Sequence, residues 1–314
     1  MSAMFRRSCR VVASAAMPFL FAFASAVHGQ NADLKQYLRD HYQGKIFALR
    51  GFYPGDHLYY DSSGAPVGGI TAGDWTGDGF VLVTDIHASG DRLVIEGRRV
   101  IVTMTAKQFQ LHTMGDPPHG RDNEKRAVFL KIEADLGAHH ARPEQADAAI
   151  SKIFLGAEDS LSEMVPGYWK ACVINGLRGT NDNCRFSAEI SAIPGVSTPG
   201  NTGAVSAAAE GDAVNLSSKP LHVGKGISPP KLIYHREPEF NDRARQEKYQ
   251  GTMTLGLVVN TEGVPTRIHV LSPLGCGLDA KAVQAVSSWK FQPAEKDGQA
   301  VPVEIAVEVD FHLY

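Results

Sequence analysis

Asp74, Thr76, Asp78, Gly79 and Asp85 fall at positions 1, 3, 5, 6 and 12 of a loop whose eighth residue is the apolar Val81. Oxygen-bearing side chains at that spacing, with a Gly at the sharp bend, are what a hard cation such as Ca²⁺ requires. Against that chemistry, the third position is Thr, the ninth is Leu82, and the twelfth is Asp where a longer Glu would ligate through both oxygens. The flanking residues read as strand, whereas the calcium loop joins two helices. A Gly-Asp-Gly turn entering a strand accounts for the same residues. No metal is therefore expected, and Asp74, Asp78 and Asp85 are kept only as a weak candidate set.

The remaining chemistry-bearing residues point away from catalysis. There is no C-x-x-C and no H-E-x-x-H, the ligand spacings that zinc needs. A G-x-S-x-G elbow, a P-loop and a dinucleotide fingerprint are also missing, so no cofactor and no enzymatic activity are expected. His119, His139 and His140 lie in polar or Pro-rich stretches and read as solvated. The aromatic pairs Phe52-Tyr53, Tyr59-Tyr60 and Tyr168-Trp169 read as packing rather than a ligand face. With 31 Lys and Arg against 34 Asp and Glu, the net charge of −3 gives no electrostatic reason to expect nucleic acid as a partner.

The elements that must position these residues divide unevenly along the chain. Arg6, Arg7 and Arg10 precede an uncharged apolar run from Val11 to Val27 that ends in Ala24, Ser25 and Ala26. That is the pattern of a secretory signal, so residues 1 to 30 are expected to be removed on export to the periplasm. The alternative is an uncleaved anchor in the inner membrane, for which the run is short and interrupted by Pro18. In an oxidising compartment Cys172 and Cys184, separated by a short polar loop, are expected to form a disulfide. Cys276 then remains single, as a half-buried small residue beside a helix start.

Residues 31 to 192 contain strand-like runs such as GFVLVTDI, RVIVTMT and AVFLKIEADL. They are followed by two helical segments, one from Pro143 to about Leu155 and one from Asp159 to Lys170. A β-rich antiparallel domain with two helices is expected there. Residues 193 to 228 are rich in Gly, Ser, Ala and Pro and read as a flexible linker. Residues 229 to 314 give two strands around a turn at Asn260 to Gly263, then a helix carrying Leu278, Ala282, Val283, Val286 and Trp289, then a final strand. In that last stretch Val301, Val303, Ile305, Val307, Val309, Phe311 and Leu313 alternate with polar or small residues. A period of two defines a strand buried on one face. The class is α+β, with a β-β-α-β order at the C-terminus.

The stretch from Pro238 to Leu313 resembles the C-terminal domain of the TonB family of periplasmic energy transducers. The resemblance rests on Pro238 followed by Ala244-Arg245, on Gln250-Gly251, Gly263-Val264 and Leu278-Asp279, and on Trp289-Lys290-Phe291 with Pro293-Ala294. Gly298 and the alternating final strand complete it. It implies a small sheet backed by a helix, whose edge accepts an extended strand of an outer-membrane TonB-dependent receptor or another envelope protein, with a role in TonB-dependent transmembrane transport. Main-chain hydrogen bonds to an open edge would supply the affinity. The candidate residues are Val301, Val303, Glu304, Ile305, Val307, Glu308, Val309, Asp310 and Phe311. Glu304, Glu308 and Asp310 form an acidic row that equally suits an edge protected against pairing, and the same edge would also serve a homodimer. The resemblance says nothing of residues 31 to 228. The competing reading makes residues 31 to 192 an enzyme or small-ligand receptor that the C-terminal part docks to the envelope.

Overall fold

A computed structural model of the protein describes residues 33–114, 128–137, 141–196, 220–224 and 226–313. The expected signal, His119, His139, His140 and most of the expected linker lie outside these residues. No helix among the described residues is long and apolar enough to cross a membrane.

The first sheet is organised by one long hairpin. Strands β1 (Ile46–Ala48) and β2 (His57–Tyr60) precede β3 (Phe80–Ser89) and β4 (Arg92–Thr105); β5 (Gln108–Thr113), β6 (Phe129–Asp135) and β7 (Arg185–Phe186) complete the seven strands. β3 and β4 pair from Ser89↔Arg92 to Phe80↔Val100, around a turn in which Gly90 takes a φ of 65°. On its other side β4 divides its length, pairing with β6 over Arg92–Arg98 and with β5 over Val100–Thr105. β4 therefore anchors both flanks of the sheet. The expected antiparallel arrangement holds for these pairs but not for β2 with β6 or β5 with β7, which run parallel.

The helices differ from expectation in number. Pro143–Ile153 forms as read, with Pro at its first turn, where its missing N–H costs no intrahelical bond. The second expected helix is two, Leu161–Met164 and Gly167–Leu177. Pro166 separates them, since proline disfavours helical geometry in the residue before it. A further helix at 33–42 buries Leu34 and Leu38, whose i, i+4 spacing was its sequence signal. Short helices also form at Trp75–Asp78 and Ala188–Ser191.

The C-terminal part contains β8 (Leu221–His222), β9 (Lys231–Tyr234), the helix Asp242–Gln246 and the hairpin of β10 (Gly251–Val259) with β11 (Pro265–Ser272). The helix Leu278–Val286, three short strands β12 (Lys290–Gln292), β13 (Ala294–Lys296) and β14 (Gln299–Val301), and finally β15 (Val303–Phe311) follow. The hairpin turn is locked by Asn260, whose side-chain oxygen accepts from the N–H groups of Glu262 and Val264. Gly263 is required there, because a Cβ would lie 1.8 Å from the Phe291 carbonyl oxygen. The second sheet has the order β11-β10-β15-β8, while β9 with β12 and β13 with β14 make two ribbons. The simple β-β-α-β order is thus extended by short strands before the last one. The expected strand from Val301 to Leu313 is also interrupted. Val301 ends β14 and pairs with Ala294, Pro302 cannot donate to a ladder, and the long strand begins at Val303.

One hydrophobic cluster runs through both parts. It joins Trp75, Val102, Phe109 and Trp169 to Leu255, Val270, Leu278 and Phe311. A second cluster, with Leu38, Ile95, Ile132 and Ile150, packs residues of the first sheet with the helices at 33–42 and Pro143–Ile153.

Candidate functional site

β15 pairs with β10 without interruption from Val303↔Val259 to Phe311↔Gly251. Its period-two pattern turns Val303, Val309 and Phe311 into the core, with Ile305 and Val307 half-buried, and leaves Glu308 and Asp310 exposed. Phe311 meets Phe240 edge-on at 5.3 Å between ring centres. The Thr252 hydroxyl donates to the Asp310 carboxylate, so one member of the acidic row is engaged within the sheet. Glu304 is half-buried.

Among the described residues, the side of β15 turned away from β10 is only partly covered. The Pro302 carbonyl accepts a 3.0 Å bond from the Leu221 N–H on that side, and β8 pairs in parallel as Val303↔Leu221 and Glu304↔His222. Backbone groups of a strand alternate between its two neighbours. If the carbonyl of Pro302 faces β8, the backbone groups of Glu304, Ala306, Glu308 and Asp310 face the same way. β8 takes the first of these four; among the described residues no strand pairs with the other three on that side. The candidate residues therefore do not act alike. Val303, Ile305, Val307, Val309 and Phe311 hold the strand in place, Val301 lies on another strand, and the outward positions belong to Glu304, Ala306, Glu308 and Asp310.

The suspected calcium loop has a different use. Asp74 caps the helix Trp75–Asp78, its carboxylate accepting from the Thr76 N–H at 2.8 Å and from the Thr76 hydroxyl. The Trp169 indole N–H also donates to it, at 3.4 Å. Asp78 pairs with Arg243 at 2.6 Å, and Asp85 lies on β3 beside His87 at 3.0 Å. The three carboxylates do not converge, and among the described residues no group of three His, Cys, Asp or Glu side chains could hold a metal ion. Asp74, Asp78 and Asp85 thus serve as a helix cap, an ion-pair partner and a strand residue, and not as one ligand set.

Asp74, Thr76 and Asp78 instead line a buried seam between the two parts of the chain. The Thr76 hydroxyl oxygen accepts from the Gly277 N–H at 2.8 Å, and Arg243 also donates to the Gly77 carbonyl at 2.7 Å. Next to them β4 meets the segment before the helix Leu278–Val286. The Met104 N–H donates to the Leu274 carbonyl at 3.2 Å and the Cys276 N–H to the Val102 carbonyl at 2.7 Å. This approach needs Gly275, which has a φ of +93° and whose Cβ would lie 2.4 Å from the Val102 oxygen. The Tyr249 hydroxyl closes the seam by accepting from the Met104 N–H at 2.9 Å and donating to the Leu274 carbonyl at 2.7 Å.

Arg99, entirely buried, donates to the carbonyls of Asp78, Tyr53 and Gly55, and burial lowers its pKa to about 10. Cys276 is fully buried rather than half-buried, and desolvation raises its thiol to about 12, which leaves no reactive thiolate. Cys172 and Cys184 form the expected disulfide, tying the helix Gly167–Leu177 to the start of β7.

Asp279 sits at the head of its helix and accepts from the N–H groups of Leu274 and Gly275 at 2.8 and 2.6 Å. Burial, and then the nearby Asp74 carboxylate, push its pKa up to about 7. A carboxyl held above its unfolded value of about 3.9 leaves folding unopposed below that pH. Between about pH 4 and 7 the unfolded chain ionises first and stability falls, by up to about 1.4 kcal/mol per pH unit. Burial shifts Asp74 the same way. Thermal melts across this window should show a lower Tm as pH rises, with a shallower slope in Asp279→Asn; equal slopes would remove Asp279 as the cause. Sequence reading missed Arg243, Tyr249 and Gly277 because nothing local distinguishes them, and their partners lie more than a hundred residues away.

Comparison with known proteins places the C-terminal part. The family model described as Gram-negative bacterial TonB protein C-terminal matches residues 236–313. The chain is similar to Protein tonB2 of Pseudomonas aeruginosa, with 33% identity over 82 residues, covering 26% of this chain and 30% of that protein. It is also similar to Protein TonB of Vibrio cholerae serotype O1, with 28% identity over 99 residues, covering 31% of this chain and 39% of that protein. The chain thus spans well under half the length of these curated relatives. Among solved structures, the solution NMR structure of the Pseudomonas aeruginosa TonB CTD is 20% identical, with a TM-score of 0.24 over 29% of this chain and 90% of that one.

Proposed function

With residues 236–313 a TonB C-terminal domain, we propose that this chain binds an extended strand of an outer-membrane TonB-dependent receptor, or of another envelope protein, and takes part in TonB-dependent transport. The observation that carries the reading is the open side of β15, where Ala306, Glu308 and Asp310 turn their backbone groups outward with no described strand opposite them. A strand added there gains main-chain hydrogen bonds, and the acidic side chains of Glu308 and Asp310 favour basic residues on the incoming strand. The signal-like residues 1 to 30 support a periplasmic location. The N-terminal part shares a core with this sheet, and the bonds of Leu274 and Cys276 tie the segment after β11 to β4.

The test is a titration of the isotope-labelled full chain with synthetic peptides copied from the N-terminal segments of TonB-dependent receptors. Amide shifts are expected along 304–311 and to be smaller on β11. An absence of shifts at millimolar peptide would remove the reading.

A further inference from the structure

The strand edge that the proposed function uses is already touched by the chain itself. Residues 220–224 and 226–228 form a strap with a firm foot and a loose tip. At the foot, the Ser228 N–H donates to the Glu295 carbonyl at 2.9 Å, the Glu295 N–H donates to the Ser228 hydroxyl at 2.9 Å, and Ile227 bridges to Lys296. Gly224, with a φ of +119°, bridges to Ile227 and turns the chain back toward β15. At the tip only Leu221 and His222 pair with β15, and Leu221 and Val223 remain 36% and 45% exposed. Pro220, just before the tip, has no N–H to extend the ladder.

An element held by two register positions, with its side chains in water, opens at small cost. Its position is nevertheless specific. It covers Glu304, the first of the four outward stations on β15, and it runs parallel to β15. A partner strand that used all four stations would meet β8 at the first.

We propose that Leu221–His222 is a built-in competitor that holds one end of the β15 edge until a partner strand displaces it. The inference rests on β15 being the partner edge. Its physical content is a competent fraction: the measured dissociation constant equals the intrinsic one divided by the fraction of molecules whose tip is off the edge. Because the tip is short and exposed, that fraction is reduced about three- to tenfold, not by orders of magnitude.

The test compares three full-length chains in the binding of fluorescently labelled synthetic peptides from receptor N-terminal segments, read by anisotropy. Leu221→Pro removes the donor to the Pro302 carbonyl at an exposed site outside the core and should bind about three- to tenfold more tightly than the wild type. A His222→Cys, Glu304→Cys pair, oxidised to a disulfide across the register position, should bind more weakly than either single Cys variant. Equal affinity in the wild type, Leu221→Pro and the cross-linked chain overturns the competitor while leaving β15 as the partner edge. No binding by any of the three, Leu221→Pro included, overturns the partner edge itself and the competitor with it. Thermal melts of each variant confirm that the comparison is between folded chains.

Discussion

Arg243→Ala lowers the unfolding free energy of the chain by about 3–5 kcal/mol, because it leaves the Asp78 carboxylate inside the seam without its cation. The two side chains are only 15% and 12% exposed, so solvent cannot replace the lost partner. Arg243 also satisfies the Gly77 carbonyl, which becomes a second unmet acceptor. Arg99 donates to the Asp78 backbone carbonyl and not to its carboxylate, so it does not replace Arg243. Urea unfolding followed by tryptophan fluorescence reports on both parts, since Trp75 and Trp169 lie in one and Trp289 in the other. The double change Asp78→Ala with Arg243→Ala should cost less than the two single losses added together, as expected for groups in direct contact. A loss below about 1 kcal/mol in Arg243→Ala would mean that the pair behaves as a solvated surface bridge.

Glu308→Pro sharply weakens strand binding while the chain stays folded. Its N–H faces the open side of β15, so the ring removes a donor that the β10 ladder does not use and places its Cδ where an incoming strand would lie. Receptor peptides should bind about tenfold more weakly or worse, more than one lost hydrogen bond alone would give. Val307→Pro is the complementary case. The N–H of Val307 points toward β10, and its loss inside the paired ladder should cost about 3 kcal/mol or more of stability. If Glu308→Pro binds peptide like the wild type, partner strands do not use this edge. If Glu308→Pro unfolds and Val307→Pro does not, the assignment of outward and inward backbone groups is reversed.

Sequence reading reached these residues unevenly, for reasons visible in particular elements. The alternation of Val303, Ile305, Val307, Val309 and Phe311 is a local signal, because a period of two is set by the strand itself wherever the strand lies. The Asn260 to Gly263 turn and the Cys172–Cys184 bridge were legible for the same reason, each being decided within a few residues. Pro166 and Pro302 are also visible, but the apolar pattern around each continues through it and hides the break that a proline imposes. The helix at 33–42 carries a single i, i+4 pair of buried leucines, Leu34 and Leu38, which is too short a periodic signal to stand alone.

The spacing of Asp74, Asp78 and Asp85 misled because ligand geometry depends on the path of the backbone between them. A four-residue helix followed by β3 sends the third carboxylate away from the first two.

By itself the sequence determined the α+β class, the final strand and its buried face, the hairpin, the disulfide partners and the resemblance of the C-terminal part, since all of these follow from residues close together along the chain. Only the tertiary structure decided that Asp74 and Asp78 belong to a seam with Gly277 and Arg243, and that Asp279 is buried beside Asp74. It also decided on which side of β15 no described strand pairs beyond Glu304, and that Leu221–His222 pairs with Val303 and Glu304 there. Those outcomes depend on which surfaces meet after the chain has folded back over more than a hundred residues. Hydrogen-bond partners and desolvation at that range are properties of the assembled core, with no counterpart in local spacing.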